Sequence, residues 1–405
     1  MMQAGGRGEA MGQGSRRSLR VLAADDSAVM RGVLRTVFEL QASQGDVSLP
    51  PMELCGLMRD GVEALDAVRR LKPDVLVLDL EMPRMNGLEV LAELRKVAPD
   101  LPVIMCSAHT ERGARSTLDA LSLGAKDYVM KPGQQKDFAS ALDSLMEQLL
   151  PKIAALAGRV EVRAELRLPT RGGPLKESSA SVEVVVIGVS TGGPSALETM
   201  LPLLPRDFPV PMLIVQHMPK LFTGALAERL QRLCSLAVKQ AVGGETISAG
   251  GVWIAPGDMH MELEVSASRK SSTTIRLHQG PALNSCMPSA DYLFRSAAEV
   301  FGCGTLAVVM TGMGSDGLEG ARAVSRVGGT VLAQDEATSA VWGMPGRVAK
   351  EGLASALVAL PLLAEAIAER VSRGRQRSSP ISSGLTYSGA ALGDSMRREV
   401  SYGVL

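Results

Sequence analysis

Val184-Val185-Val186-Ile187-Gly188-Val189-Ser190-Thr191-Gly192-Gly193-Pro194 reads as a strand, a tight turn and the start of a helix. Four β-branched residues in succession suit a strand buried on both faces. The run then breaks into glycines around a serine and a threonine. Pro194 follows, and proline is favoured at the first helical position. A serine in such a turn lies at the carboxyl edge of a sheet, beside N–H groups of a helix start that favour negative charge. Attack on a carbonyl puts charge on oxygen in the transition state, so a serine nucleophile needs this setting. An ordinary Gly-rich turn or a phosphate cradle fits the same string. The G-x-S-x-G spacing therefore has weight only with what the rest of the chain supplies.

Downstream, Met212–Val215 is a buried strand ending in Gln216-His217-Met218-Pro219, and Gly251–Ala255 is another. Thr305–Met310 is a strand ending in Thr311-Gly312-Met313-Gly314-Ser315-Asp316-Gly317, and Thr330–Ala333 ends near Asp335. Ser190, His217 and Asp316 thus fall just past the ends of candidate parallel strands. A nucleophile, a base and an orienting acid would meet at one sheet edge. His260 and His278 compete for the role of base, but neither follows a fully buried strand. Asp335 competes with Asp316 for the acid. The Gly-rich turn around Asp316, whose N–H groups could also serve an oxyanion, favours Asp316. The chain order Ser, His, Asp differs from the Ser, acid, His order of α/β-hydrolases.

Upstream, Leu19–Ala24 is a short apolar strand ending in Asp25-Asp26, followed by a helix with Val29, Val33, Val37 and Leu40 on one side. Asp74–Leu78 ends at Asp79, Pro102–Cys106 at Ser107, and Asp127–Met130 at Lys131-Pro132. Strands alternating with helices predict a parallel sheet covered on both faces. Ligands of such sheets bind beyond the carboxyl ends of the strands. Three carboxylates gathered there repel one another unless a cation neutralises them, and oxygen-only ligands select a hard ion such as Mg²⁺. A carboxylate beside Mg²⁺ and a lysine can accept a phosphoryl group. Gln41–Met52, with Pro50-Pro51, reads as an enlarged polar loop.

At 405 residues, two domains are the natural expectation. Lys plus Arg and Asp plus Glu both number 43, so the balanced charge gives no bias towards nucleic acid or anionic membrane. The five cysteines are scattered, which suits reduced thiols in a cytoplasmic setting. No apolar run approaches the ~20 residues that span a bilayer, and residues 1–18 lack the apolar core of a secretory signal. The expected division is a disordered stretch over 1–18, a first domain over 19–150 and a linker over 151–181. A second domain over 182–373 and a disordered tail over 374–405 complete it. The last helix of the first domain is predicted over 133–150 on a stripe of Phe138, Leu142, Leu145 and Leu149, with 151–157 able to extend it.

Asp25-Asp26-Ser27, Leu78 to Gly87, Ser107-Ala108 and Lys131-Pro132 resemble the receiver domain of bacterial two-component response regulators. Gly188 to Pro194, Gln216-His217-Met218, Met310 to Gly317 and Ala333 to Thr338 resemble the methylesterase domain of the CheB family, the chemotaxis protein-glutamate methylesterases. The resemblance implies a flavodoxin-like receiver in front of a Rossmann-like methylesterase domain, both α/β with doubly wound parallel sheets. It makes Asp79 the phosphoacceptor, fed by a histidine kinase. Asp25 and Asp26 would hold Mg²⁺ with Asp79, and Ser107, Lys131 and Tyr128 would be the switch residues. It makes Ser190 the nucleophile, His217 the base and Asp316 the acid, with Thr191 and the Met313 N–H as oxyanion donors. Implied partners are methyl-accepting chemotaxis receptors, whose glutamate methyl esters are hydrolysed and whose glutamines are deamidated, and the expected state is a monomer. The unphosphorylated receiver is expected to cover the Ser190 edge.

Overall fold

The computed structural model describes residues 17–44, 49–132, 138–157, 180–266 and 272–378. Most of the expected disordered stretches and most of the expected linker lie outside these residues. Two parallel sheets organise the chain, as the alternation of strands and helices predicts.

The first sheet begins with β1 (Leu19–Ala24), which leads into α1 (Ala28–Gln44). An edge strand β2 (Met52–Met58) and α2 (Gly61–Leu71) follow, then β3 (Val75–Asp79), α3 (Gly87–Val97) and β4 (Val103–Ser107). Helix α4 (Glu111–Ser122), β5 (Asp127–Met130) and α5 (Phe138–Ala157) close the unit. The strand order is β2-β1-β3-β4-β5, all parallel. The order reverses between β1 and β3, so Asp25, Asp26 and Asp79 flank the crevice where doubly wound sheets bind ligands.

Four sequence expectations change here. Met52–Met58 is a strand, although Met52 was assigned to an enlarged loop. Only Met52 in it is buried, because β2 is an edge strand, so no buried apolar run marks it. Val29 is 77% exposed, and the buried face of α1 runs instead through Met30, Val33, Leu34, Val37 and Phe38. Phe138 is exposed at the start of α5. The boundary at 150 falls inside α5, where Pro151 is carried within the helix and Ile153, Leu156 and Ala157 are buried. Residues 133–137 of the expected helix, and 45–48 of the expected loop, lie outside the described residues.

The second unit starts with β6 (Val184–Val189), every residue of which is buried, and α6 (Gly193–Met200). Next come β7 (Met212–Gln216), α7 (Lys220–Leu233), β8 (Ala237–Gln240) and β9 (Gly251–Ile254). An antiparallel hairpin of β10 (His260–Val265) and β11 (Thr273–His278) is followed by α8 (Ala290–Phe301). The unit ends with β12 (Thr305–Val309), α9 (Leu318–Arg326), β13 (Thr330–Gln334), α10 (Met344–Lys350), β14 (Ala356–Val358) and α11 (Leu360–Ser378). Helix α11 therefore runs past the expected boundary at 373. The parallel order is β14-β13-β12-β6-β7-β9-β8. Here the direction of winding changes at β6, so the turns after β12, β6 and β7 share one rim.

The two units meet through α4 and β5 of the first and α6 and α7 of the second. Arg229 on α7 joins Glu198 and Asp119, each at 2.5 Å. Ser122 Oγ donates to Glu198 Oε2 at 2.7 Å, and Ser195 Oγ donates to the Leu121 carbonyl at 3.0 Å. Tyr128 lies flat on Phe222, with ring centroids 4.6 Å apart. Among the described residues no helix is long and apolar enough to cross a membrane.

Candidate functional site

The three turns at the rim of the second sheet interlock through backbone groups. The Ser190 N–H donates to Thr311 O at 2.9 Å, and the His217 N–H donates to Val189 O at 3.1 Å. Gln216 Nε2 donates to Ser190 O at 3.0 Å, and Thr311 N–H donates to Gln334 Oε1 at 2.9 Å. Left-handed glycines begin both adjoining helices, Gly192 (φ 77°) for α6 and Gly317 (φ 85°) for α9. An L side chain is strained at that φ. At Gly192 a Cβ would also come within 2.4 Å of Ala340 Cβ.

His217 Nε2 lies 2.8 Å from Asp316 Oδ2. Asp316 is 1% exposed and is held on all sides. Ser289 Oγ donates to its Oδ1 at 2.6 Å, the Ala290 N–H to its Oδ2 at 2.6 Å, and the Asp291 N–H to its Oδ1 at 3.3 Å. The first turn of α8 thus caps the acid with N–H groups that lack helical partners of their own. Burial pushes the Asp316 carboxyl up, but the His217 bond and these donors outweigh it and hold it below the usual carboxylate range. Burial pushes the His217 imidazole down, yet its bonds to Asp316 and Cys286 lift it to about 10.

With Nε2 spent on Asp316, Nδ1 is the nitrogen left to act as base. It faces Cys286 Sγ at 3.5 Å. Ser190 Oγ makes no hydrogen bond to the ring among the described residues, a common condition of resting sites. The Thr191 and Met313 N–H groups likewise carry no internal partner among the described residues, which leaves them available to an oxyanion. The Thr191 hydroxyl does not face that way: it donates to Asp127 Oδ2 of the first unit at 2.6 Å. Asp335 receives the Thr338 N–H and hydroxyl at 3.0 and 2.5 Å, a local turn contact. His260 is fully buried, its Nδ1 accepting from the Ser289 N–H and its Nε2 donating to Pro281 O, both at 3.2 Å. His278 lies beside Glu262 at 3.1 Å.

Ser289, Asp291, Cys286 and Asp127 were missed from the sequence. Ser289 two residues before an aspartate carried an N-cap signature that could have been read. Asp291 is buried behind Asp316; burial, with the neighbouring carboxylate adding to it, pushes it up to about 6. Cys286 and Asp127 had no local signal, because their partners lie far away in the chain.

At the rim of the first sheet, Lys131 Nζ bridges Asp25 Oδ2 (2.9 Å) and Asp79 Oδ2 (2.8 Å). Burial and Asp25 push Asp79 up to about 6, against the pull of Lys131. Asp25, Asp26 and Asp79 each present an oxygen within 4.8 Å of the others. An all-carboxylate set with one exposed member fits a hard divalent cation that keeps water ligands, as Mg²⁺ does. Ser107 Oγ accepts from Thr117 Oγ1 at 2.7 Å and lies 3.3 Å from Ala108 O. Tyr128 is buried, with its ring stacked on Phe222 of the second unit.

The family model for the response regulator receiver domain matches residues 21–143, and that for CheB methylesterase matches residues 185–367. A relative from Trichodesmium erythraeum (strain IMS101), named protein-glutamate methylesterase/protein-glutamine glutaminase, is 42% identical over 87% of this chain and 99% of its own. One of the same name from Thermotoga maritima is 40% identical over 88% of this chain and 99% of its own. The crystal structure of the Thermotoga maritima CheB methylesterase catalytic domain aligns at 42% identity with a TM-score of 0.45, covering 47% of this chain and 99% of that one. The response regulator domain of Thermotoga maritima CheB aligns at 39% identity with a TM-score of 0.30, over 35% and 98%.

Proposed function

We propose, from the premise that this chain belongs to the protein-glutamate methylesterase/protein-glutamine glutaminase family of receiver-fronted CheB enzymes, that Ser190, His217 and Asp316 hydrolyse glutamate methyl esters on chemoreceptors. The observation that carries the assignment is the His217 Nε2 to Asp316 Oδ2 contact of 2.8 Å on the rim where Ser190 also emerges. Asp316 fixes the ring so that Nδ1 takes the Ser190 proton as Oγ attacks the ester carbonyl. The Thr191 and Met313 N–H groups receive the charge that forms on the carbonyl oxygen. The imidazolium then protonates the departing methoxide, and water, activated by the same nitrogen, frees the glutamate. With a glutamine side chain, ammonia leaves instead.

The receiver supplies control. Asp79 is the phosphoacceptor for a histidine kinase, with Lys131 placed to meet the phosphoryl oxygens. Asp25, Asp26 and Asp79 would hold Mg²⁺, which when bound neutralises charge on the transferring group. The unphosphorylated receiver lies against the second unit, and Asp127 takes the hydroxyl of Thr191, the residue next to the nucleophile. Phosphorylation releases that contact.

The test is methanol release from methylated receptor membranes, with and without a small phosphodonor. Phosphodonor-stimulated release that Ser190→Ala abolishes supports the reading. Unchanged release by Ser190→Ala would reduce the second unit to a docking module.

A further inference from the structure

The group that meets the base nitrogen is a thiol, and nothing in the ester hydrolysis uses it. Asn284 (φ 52°) and Ser285 (φ 60°) are both left-handed, and the Cys286 N–H closes their turn on Leu283 O at 2.8 Å. Asn284 pins that turn to the site, donating to Asp291 Oδ2 and accepting from Ser315 Oγ, both at 3.3 Å. The turn aims Cys286 Sγ at His217 Nδ1, 3.5 Å away, while the opposite ring nitrogen stays on Asp316. His217, Cys286 and Asp316 each present a ligand-type atom within 4.8 Å of the others.

Tetrahedral zinc with a thiolate at ~2.3 Å and an imidazole at ~2.0–2.1 Å separates the two ligand atoms by about 3.6 Å. The observed separation needs almost no adjustment to that edge. A carboxylate on the far nitrogen is what zinc-ligating histidines ordinarily carry, because it fixes the ring and raises its basicity. Cys286 and His217 are only partly buried, so water can fill the remaining coordination positions.

We propose that Cys286 Sγ and His217 Nδ1 form a binding site for a thiophilic divalent cation, Zn²⁺ above all, and that its occupation holds the esterase off. Binding forms S–Zn and N–Zn bonds and releases the thiol proton, together with the Nδ1 proton where the ring carries one; no electrons move. A metal on Nδ1 removes the lone pair that would accept the Ser190 proton. That inhibitory consequence rests on His217 being the base, whereas the site itself does not.

Two readouts on the full chain separate the two statements. In the first, Co²⁺ is titrated into wild type and Cys286→Ala, and the thiolate-to-cobalt charge-transfer absorption is followed. The band is expected in wild type and in Cys303→Ala, which removes an exposed thiol elsewhere, and lost in Cys286→Ala. In the second, methanol release is measured against free Zn²⁺, each variant normalised to its own metal-free rate. Cys286→Ala should require at least tenfold more Zn²⁺ for half-inhibition, in line with the affinity lost when a metal site is damaged. No band in wild type, or equal bands in wild type and Cys286→Ala, overturns the site. A Cys286-dependent band without inhibition upholds the thiolate ligand and overturns the claim that the cation holds the esterase off.

Discussion

Asp316 shows how little of a candidate triad acid's chemistry is its own. It is 1% exposed and receives three donors from the start of α8, so the carboxylate is a fixed negative charge beneath His217. Asp316→Asn should lower serine-dependent methanol release by roughly 10⁴-fold, as loss of an orienting acid does. Asp335→Asn, which disturbs only a local turn, should lower it far less. Asp316 also sets the pH profile. Against the downward push of burial, the bonds to Asp316 and Cys286 lift His217 above its ordinary value, to about 10, so the rate should climb as pH rises through the alkaline range. The sign for stability is opposite. A raised histidine contributes stability that is complete below its unfolded value near 6.5 and fades as pH rises towards 10. Melting temperature should therefore fall over the window in which the rate climbs. In Asp316→Asn, burial is left to act with less opposition, and the midpoint of the pH–rate curve should move down.

Helix α8 earns its position through its first turn rather than its length. Ser289 accepts the Asp291 N–H at 3.2 Å as an N-cap while its hydroxyl donates to Asp316. Ser289→Ala should cost about 1 kcal/mol of stability as a lost cap, read as a lower denaturation midpoint. It should also lower the rate and shift the pH–rate midpoint, which a purely structural cap would not do. The turn after β12 imposes a different limit. At Gly312 an added Cβ would approach Ser190 Cβ to 2.7 Å and Met344 Sδ to 2.5 Å. Gly312→Ala should thus displace Ser190 and cut the turnover rate even where the protein still folds, a loss that a steady-state methanol assay detects.

Over the whole molecule, two sheets with their own crevices are joined by polar contacts, one aromatic stack and buried apolar side chains that pack continuously from one unit into the other. The contact set at Arg229 is graded: the Glu198 pair is largely buried, while Asp119 is half exposed, where a single ion pair contributes little. Asp79→Asn should remove the phosphodonor's stimulation of methanol release while leaving Ser190-dependent turnover measurable. Arg229→Ala, which breaks the links to both Asp119 and Glu198, should raise the unstimulated rate and shrink the phosphodonor's further effect. A wild-type response in either variant would dissociate the receiver from control of the esterase.

Sequence alone determined what depends on neighbours in the chain. The all-buried Val184–Ile187 run, the glycines around Ser190 and Asp316 and the carboxylates closing β1 and β3 are written in local composition. Parallel winding then obliges those strand ends to share a rim. The edge strand Met52–Met58 escaped because it lacks the continuous burial that marks its neighbours, and Val29 and Phe138 because an apolar side chain at the right spacing need not face the core. Only the tertiary structure decided that α8 caps Asp316, that Asp127 takes the Thr191 hydroxyl, and that Cys286 stands at His217 Nδ1. Each of these joins groups from separate elements, and a distance of a few ångströms between such groups is fixed by packing rather than by any spacing along the chain.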